Sequence, residues 1–146
     1  MVSWVVRSLE RLGRCRRGAS AVEFAIVFPL FIAVLFGILV YGSYIGIIHG
    51  VQQIAAEAAR ASVGGLTDTE RVTLARDNIA ASVASYPLIA AARLTLDSAS
   101  TDAGTRMFSV TVRYDASDMF IFHLPTIVPG PNKVIVRSAA IQRGGY

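Results

Sequence analysis

The chain has 146 residues, 53% of them hydrophobic, and a formal net charge of +4. Residues 1–18 hold five arginines (Arg7, Arg11, Arg14, Arg16 and Arg17) against Glu10, whereas residues 19–146 hold eight Arg and one Lys against nine acids. The body is thus neutral, which argues against a nucleic-acid-binding surface, and the length allows one small domain plus an anchor.

Residues 1–18 read as a basic cytoplasmic leader. Cys15 is the only cysteine, so no disulfide forms within the chain and no CxxC metal pair exists. From Phe24 to Ile48 there is no charged residue. As a helix this run covers roughly 37 Å, enough to cross a bilayer with some tilt. The apolar core of a cleaved secretory signal is shorter, about 7–15 residues, so the segment reads as a signal-anchor. Arginines beside a span stay inside, which places the N-terminus in the cytoplasm and everything after Ile48 outside. Glu23 stands at the rim of this run, where a carboxylate is costly and needs a partner or an escape to the headgroups.

Helical character continues through Val51, Ile54, Ala55, Ala58 and Ala61, which recur at near-helical spacing on an alanine-rich stretch. The spacing predicts one helix over residues 20–63, inside a segment 19–63, with a stop at Gly64-Gly65. Pro29 is expected to kink or loosen the preceding turn. Gly42, Gly46 and Gly50 have the small-xxx-small spacing that lets another helix approach. Glycine-rich membrane helices also show this spacing by chance.

Residues 64–146 are expected to form a small outer domain. Thr67-Asp68-Thr69-Glu70 is a capping box. It opens a helix with Val72, Ala75, Ile79, Val83 and Tyr86 on one face, which Pro87 ends. The period then changes to two. Strands are predicted at 93–97, with Leu94 and Leu96 alternating, and at 107–115, with Phe108, Val110, Val112 and Tyr114. A third is predicted at 133–141, with Val134, Val136, Ser138 and Ala140 on one face. Residues 98–105 and 124–132 read as loops. The fold class is α+β: a long N-terminal membrane-spanning helix, then one helix with a sheet of three or four antiparallel strands.

No catalytic residue, cofactor site or metal site is predicted. His49 and His123 are lone histidines, and Asp115 and Asp118 read as strand-ending turn acids. No Ser/His/Asp trio, HExxH, P-loop or GxGxxG is present.

At Gly18-Ala19-Ser20-Ala21-Val22-Glu23-Phe24 the chain resembles type IV pilin-like precursors, which a membrane aspartic peptidase cuts after the glycine. The run from Ala21 to Leu30, followed by Ala58-Ala59-Arg60-Ala61, resembles more closely the TadE-like family, pseudopilins of the tight-adherence (Flp) pilus machinery. That resemblance implies a cleavage site at Gly18 and Ala19 and a subunit-assembly role for Glu23 and Phe24. It also implies the bacterial inner membrane with a periplasmic C-terminal domain. The implied partners are membrane lipid, a prepilin peptidase, other pilin-like subunits and pilus assembly platform proteins. TadG-like relatives share the signature on longer chains as uncleaved anchors, so a single-pass scaffold or ligand-binding module is the alternative. Glu23 accordingly has two readings: pairing with the new Ala19 amine of a neighbour, or snorkelling into the inner headgroups.

Overall fold

The computed structural model describes residues 16–123 and 131–142, with side chains from Ser20 onward. The leader up to Cys15 and residues 124–130 of the second predicted loop lie outside the described residues. The chain divides into two compact units, with the boundary between Leu39 and Val40.

Helix α1 runs from Arg16 to Ala61 without interruption at Pro29. It begins before the Ser20 expected from the sequence, so Gly18 lies inside helical backbone. Beyond Ala61 the chain tightens into a 3-10 turn, Ser62–Gly64, closed by the Gly65 amide donating to the Ser62 carbonyl at 3.1 Å. The helix does stop at the paired glycines, but not through a left-handed residue. Gly65 has φ −75°. What demands glycine is space: a Cβ there would lie 2.8 Å from the Arg71 amide nitrogen and 3.1 Å from Arg71 Cα.

Helix α2, Asp68–Ser82, starts where the capping box predicts. The Thr67 hydroxyl accepts from the Glu70 amide at 3.2 Å, and the Glu70 carboxylate accepts from the Leu66 amide at 2.9 Å. The reciprocal bond therefore reaches one residue before the cap and holds the entering chain. Asp68 and Glu70 also place negative charge at the positive end of the helix dipole. Arg71 is buried, with its Nε donating to the Gly65 carbonyl at 2.9 Å, and so ties the end of α1 to the start of α2.

Three antiparallel strands follow: β1 Leu94–Thr101, β2 Met107–Asp115 and β3 Val134–Gln142, in the order β1-β2-β3. Strand β1 is longer than predicted, because residues 98–101 are strand and not loop. The pairing register shifts between Leu96 and Ser98, so the inward positions run Leu94, Leu96, then Ala99 and Thr101. The bulge breaks the period-two signal at Asp97. Strand β2 is central and buries Phe108, Val110, Val112 and Tyr114, as its alternation predicts. On β3 the face carrying Val134, Val136, Ser138 and Ala140 is the outer one. Ile135, Ala139 and Ile141 lie opposite Tyr114, Val110 and Phe108 and join the core.

The core is completed by the C-terminal part of α1. Val51, Ile54, Ala55 and Ala58 are wholly buried and belong to one cluster with the sheet residues, Ala75 and Ile79. The compact unit that starts at Val40 therefore includes the last turns of α1 as well as the expected outer domain.

The β1–β2 turn is held by one carboxylate. Asp102 accepts from the Thr105 amide at 2.7 Å, the Thr105 hydroxyl at 2.9 Å and the Gly104 amide at 2.9 Å. These donors, the Thr105 amide foremost, hold its carboxyl below the usual carboxylate range. A depressed folded-state pKa favours the fold above the unfolded value of about 3.9, and that contribution disappears as pH falls through the folded pKa. On acidification below about pH 4, the Gly104 and Thr105 amide resonances should shift together in an NMR titration. Asp102→Asn should abolish the titration.

Gly46 and Gly50 pack against the segment after α2. A Cβ on Gly50 would lie 2.8 Å from Ile89 Cδ1 and 3.3 Å from Tyr86 Cδ1, and one on Gly46 would lie 3.3 Å from Leu88 Cδ1. A Cβ on Gly42 would meet nothing within 4 Å. Gly50→Ala should therefore destabilise the domain by about 1–3 kcal/mol through overpacking, whereas Gly42→Ala should be neutral. Denaturant unfolding of both variants in the same detergent checks this.

Candidate assembly site

The N-terminal part of α1 is apolar on every side. Val22, Phe24, Ile26, Val27, Phe28, Leu30, Phe31, Val34, Leu35, Phe36, Ile38 and Leu39 are all exposed. A surface helix of a globular protein would show one polar face. Its most hydropathic window, none of it buried, is long and apolar enough to cross a membrane. Among the described residues there is thus one candidate membrane anchor, near the N-terminus.

Burial sets the upper limit of that anchor more closely than charge does. The uncharged run ends at Ile48, but Tyr44 and Ile47 are buried in the domain core. The Tyr44 hydroxyl donates to the Asn132 carbonyl at 2.9 Å, and its ring meets Phe122 edge-on at 6.3 Å. The bare stretch is therefore 24–43, about 30 Å of helix, which matches the hydrocarbon thickness of a bilayer. Tyr44 and Ile47 are invisible to a charge count because they are apolar for a different reason, burial in the domain core.

The predicted site residues cluster at the start of this stretch. Gly18 and Ala19 lie in helical backbone, and Glu23 is exposed one turn beyond Ala19. The Phe24 and Phe28 rings stack at 5.1 Å between centroids, as side chains four apart on a helix can. The predicted helix-packing residues do not act together. Gly46 and Gly50 face residues 86–89 of the same chain, and Gly42 faces open space.

The sequence reading missed a polar clamp on the far side of the boundary. The Glu57 carboxylate accepts from the Tyr86 hydroxyl at 3.0 Å and from Gln53 Nε2 at 3.0 Å. Partial burial first, and then the bond to Glu57, push the Tyr86 hydroxyl pKa above its ordinary value. This contact joins α1 to the segment after α2, and no local pattern announces a pair 29 residues apart.

Asp115, Asp118 and His123 have structural partners. Asp115 accepts from the Ser117 amide at 2.9 Å, and Asp118 pairs with Arg93. His123 Nδ1 lies 3.2 Å from the Met119 carbonyl. Among the described residues, no group of three or more His, Cys, Asp or Glu is placed to hold a metal ion. A cleft of about 440 Å³ between α2 and β1 is lined by Ile79, Val83, Leu94, Leu96 and Arg76, with no acid among its walls.

Residues 18–60 match the family model described as TadE-like protein. The match covers α1 from its first turn to its last, including the bare stretch, Glu23 and the buried alanine face. It agrees with the resemblance carried by the sequence signature. No curated protein and no solved structure matches the chain.

If the bare stretch of α1 lies in lipid, charge at its middle should be intolerable. Phe31→Arg combined with Leu35→Arg should add about 6 kcal/mol to membrane insertion. Both side chains are exposed, so neither substitution disturbs a core. The double variant should move from the carbonate-resistant membrane fraction to the soluble or degraded one, while Gly42→Ala stays in the membrane.

Proposed function

We propose that the chain is a minor pilin-like subunit, a pseudopilin, used in assembling a tight-adherence pilus or related secretion system. The observation that carries this is the match of residues 18–60 to the TadE-like family, over a helix exposed as apolar surface with Glu23 as the one charged side chain between Ser20 and Ile48. A helix with no polar face needs lipid, or other helices of the same kind, on all sides. A pilin-like subunit uses both in turn, lipid before assembly and neighbouring subunits after it.

In this reading a prepilin peptidase cuts between Gly18 and Ala19 at the cytoplasmic edge of the inner membrane. Residues 1–18 are removed and the domain lies in the periplasm. The new Ala19 amine meets Glu23 of a neighbouring subunit, which offsets the cost of a carboxylate in an apolar bundle and sets the axial register. Phe24 and Phe28 supply flanking apolar surface. Assembly platform proteins and other pilin-like subunits are the partners.

The helical backbone at Gly18 favours a second reading, in which the chain keeps its leader and serves as a single-pass anchored scaffold. Intact mass of the protein from its native membrane separates the two. The pseudopilin reading expects a chain beginning at Ala19, and a bulky residue in place of Gly18 should restore the full-length mass. A wild-type chain that keeps residues 1–18 in cells holding the peptidase would overturn it.

Glu23→Gln tests the assembly step separately. Breaking a buried pair costs about 3–5 kcal/mol, so cleaved Glu23→Gln protein should fail to co-purify with other pilus components at equal expression. Undiminished recovery would leave Glu23 as a snorkelling residue.

A further inference from the structure

The end of the domain from which the bare helix departs is itself apolar. Leu88 is 53% exposed and Phe120 is 61% exposed. Both sit on segments packed against α1 just past the bare stretch. The side chain of Leu88 lies over Gly46, 3.3 Å from where a Cβ would be. Phe120 opens a 3-10 turn, Phe120–His123, whose Phe122 ring meets Tyr44. Between the two segments lies a cavity of about 190 Å³ lined by Ile47, Leu88 and Met119, with the Arg93–Asp118 pair beside it.

Helix rise sets the height of this end. A span of 24–43 fills the hydrocarbon layer, so Ser43 marks its outer edge. Gly46 is then about 4.5 Å further along the axis. The headgroup layer on each side of a bilayer is roughly 5–7 Å thick. Leu88, level with Gly46, and Phe120, on the same 3-10 turn as the Phe122 that meets Tyr44, fall within it. The opposite end, where α1 finishes at Ala61 and Leu66 nearby in sequence stands 84% exposed, is about 22 Å along the axis from Gly46.

We propose that Leu88 and Phe120 are interfacial anchors, and that this end of the domain rests in the headgroup layer of the bilayer its own helix crosses. The occupant is phospholipid because the surface is continuous with the membrane anchor. Its chemistry also suits an interface, with apolar tips among polar groups. Lys133 Nζ lies 5.9 Å over the Phe122 ring, and His123 ends the turn. Arg93 and Lys133 are balanced by Asp115 and Asp118, so the contact is driven by apolar side chains and needs no anionic lipid. The proposal rests on the membrane anchor and not on pilus assembly.

The test uses the whole chain with Cys15→Ser, singly labelled with an environment-sensitive fluorophore in phosphatidylcholine nanodiscs at one chain per disc. Label sites are Leu88→Cys, Phe120→Cys, Leu66→Cys and Phe31→Cys, all at exposed side chains. Nitroxide on the upper acyl chain of the lipid should quench the 88 and 120 probes several-fold more than the 66 probe. Aqueous iodide should show the reverse order. If the 88 and 120 probes behave like the 66 probe, the domain stands clear of the membrane and the proposal fails. Shielding from both quenchers would mean that protein covers this end, which also overturns it. A 31 probe unquenched by lipid would show that the anchor reading itself is wrong, a failure distinct from the other two.

Discussion

One helix has to satisfy two solvents. From Phe24 to Leu39, α1 presents apolar side chains on every side, as a helix in lipid does. From Tyr44 on, one face of the same helix becomes the centre of a folded domain. Seven of the seventeen buried hydrophobic residues among the described ones come from α1. A three-stranded sheet and a 15-residue helix bury little on their own, so without that stripe the domain would lack a core. The last turns of α1 are consequently part of the domain's own fold. Alanines 55, 58 and 59 serve both needs, because they are strong helix formers and small enough to let neighbouring elements close on the axis.

Much of this organisation is legible from residue spacing. The alanine-rich face, the capping box at Thr67 and the alternation of β2 each rest on a local pattern, and each appears where its pattern places it. The departures share a cause: a long-range contact overrode a local signal. Strand β1 continues past Asp97 because β2 offers it a paired edge, and the bulge hides the change of face. On β3 both faces carry aliphatic residues, and the choice between them follows from pairing Ile135 with Tyr114 on the central strand. The burial of Arg71 follows from the Gly65 carbonyl that the turn brings against it. The upper end of the bare stretch is hidden from a charge count, since residues 44–48 are uncharged in either environment.

The glycines show how one spacing can carry different meanings. Gly42, Gly46 and Gly50 form an even series in the sequence, yet the fold divides it. Gly46 and Gly50 make room for Leu88, Tyr86 and Ile89, and only Gly42 remains open. A second helix approaching along the whole series would have to displace residues 86–89, which the Tyr86–Glu57 bond helps to hold in place. Any close helix contact above the bare stretch is therefore restricted to faces other than this one.

The same geometry bears on the proposed amine–carboxylate pair. Ala19 and Glu23 are four residues apart in helical backbone, so they share a face one turn apart. After cleavage the Ala19 amine could turn back to Glu23 of its own chain. Exposed pairs of that spacing contribute only about 0.2–0.5 kcal/mol, and in the inner headgroups water competes for both groups. In a packed bundle the balance changes. Two unit charges 4 Å apart attract by about 4 kcal/mol at an effective dielectric of 20, against about 1 kcal/mol in water. The within-chain pair would therefore be a resting arrangement, given up for a neighbour's carboxylate only when assembly removes the water. In the same proposal Gly18 would ease the preceding cut, because a glycine costs a helix about 1 kcal/mol relative to alanine.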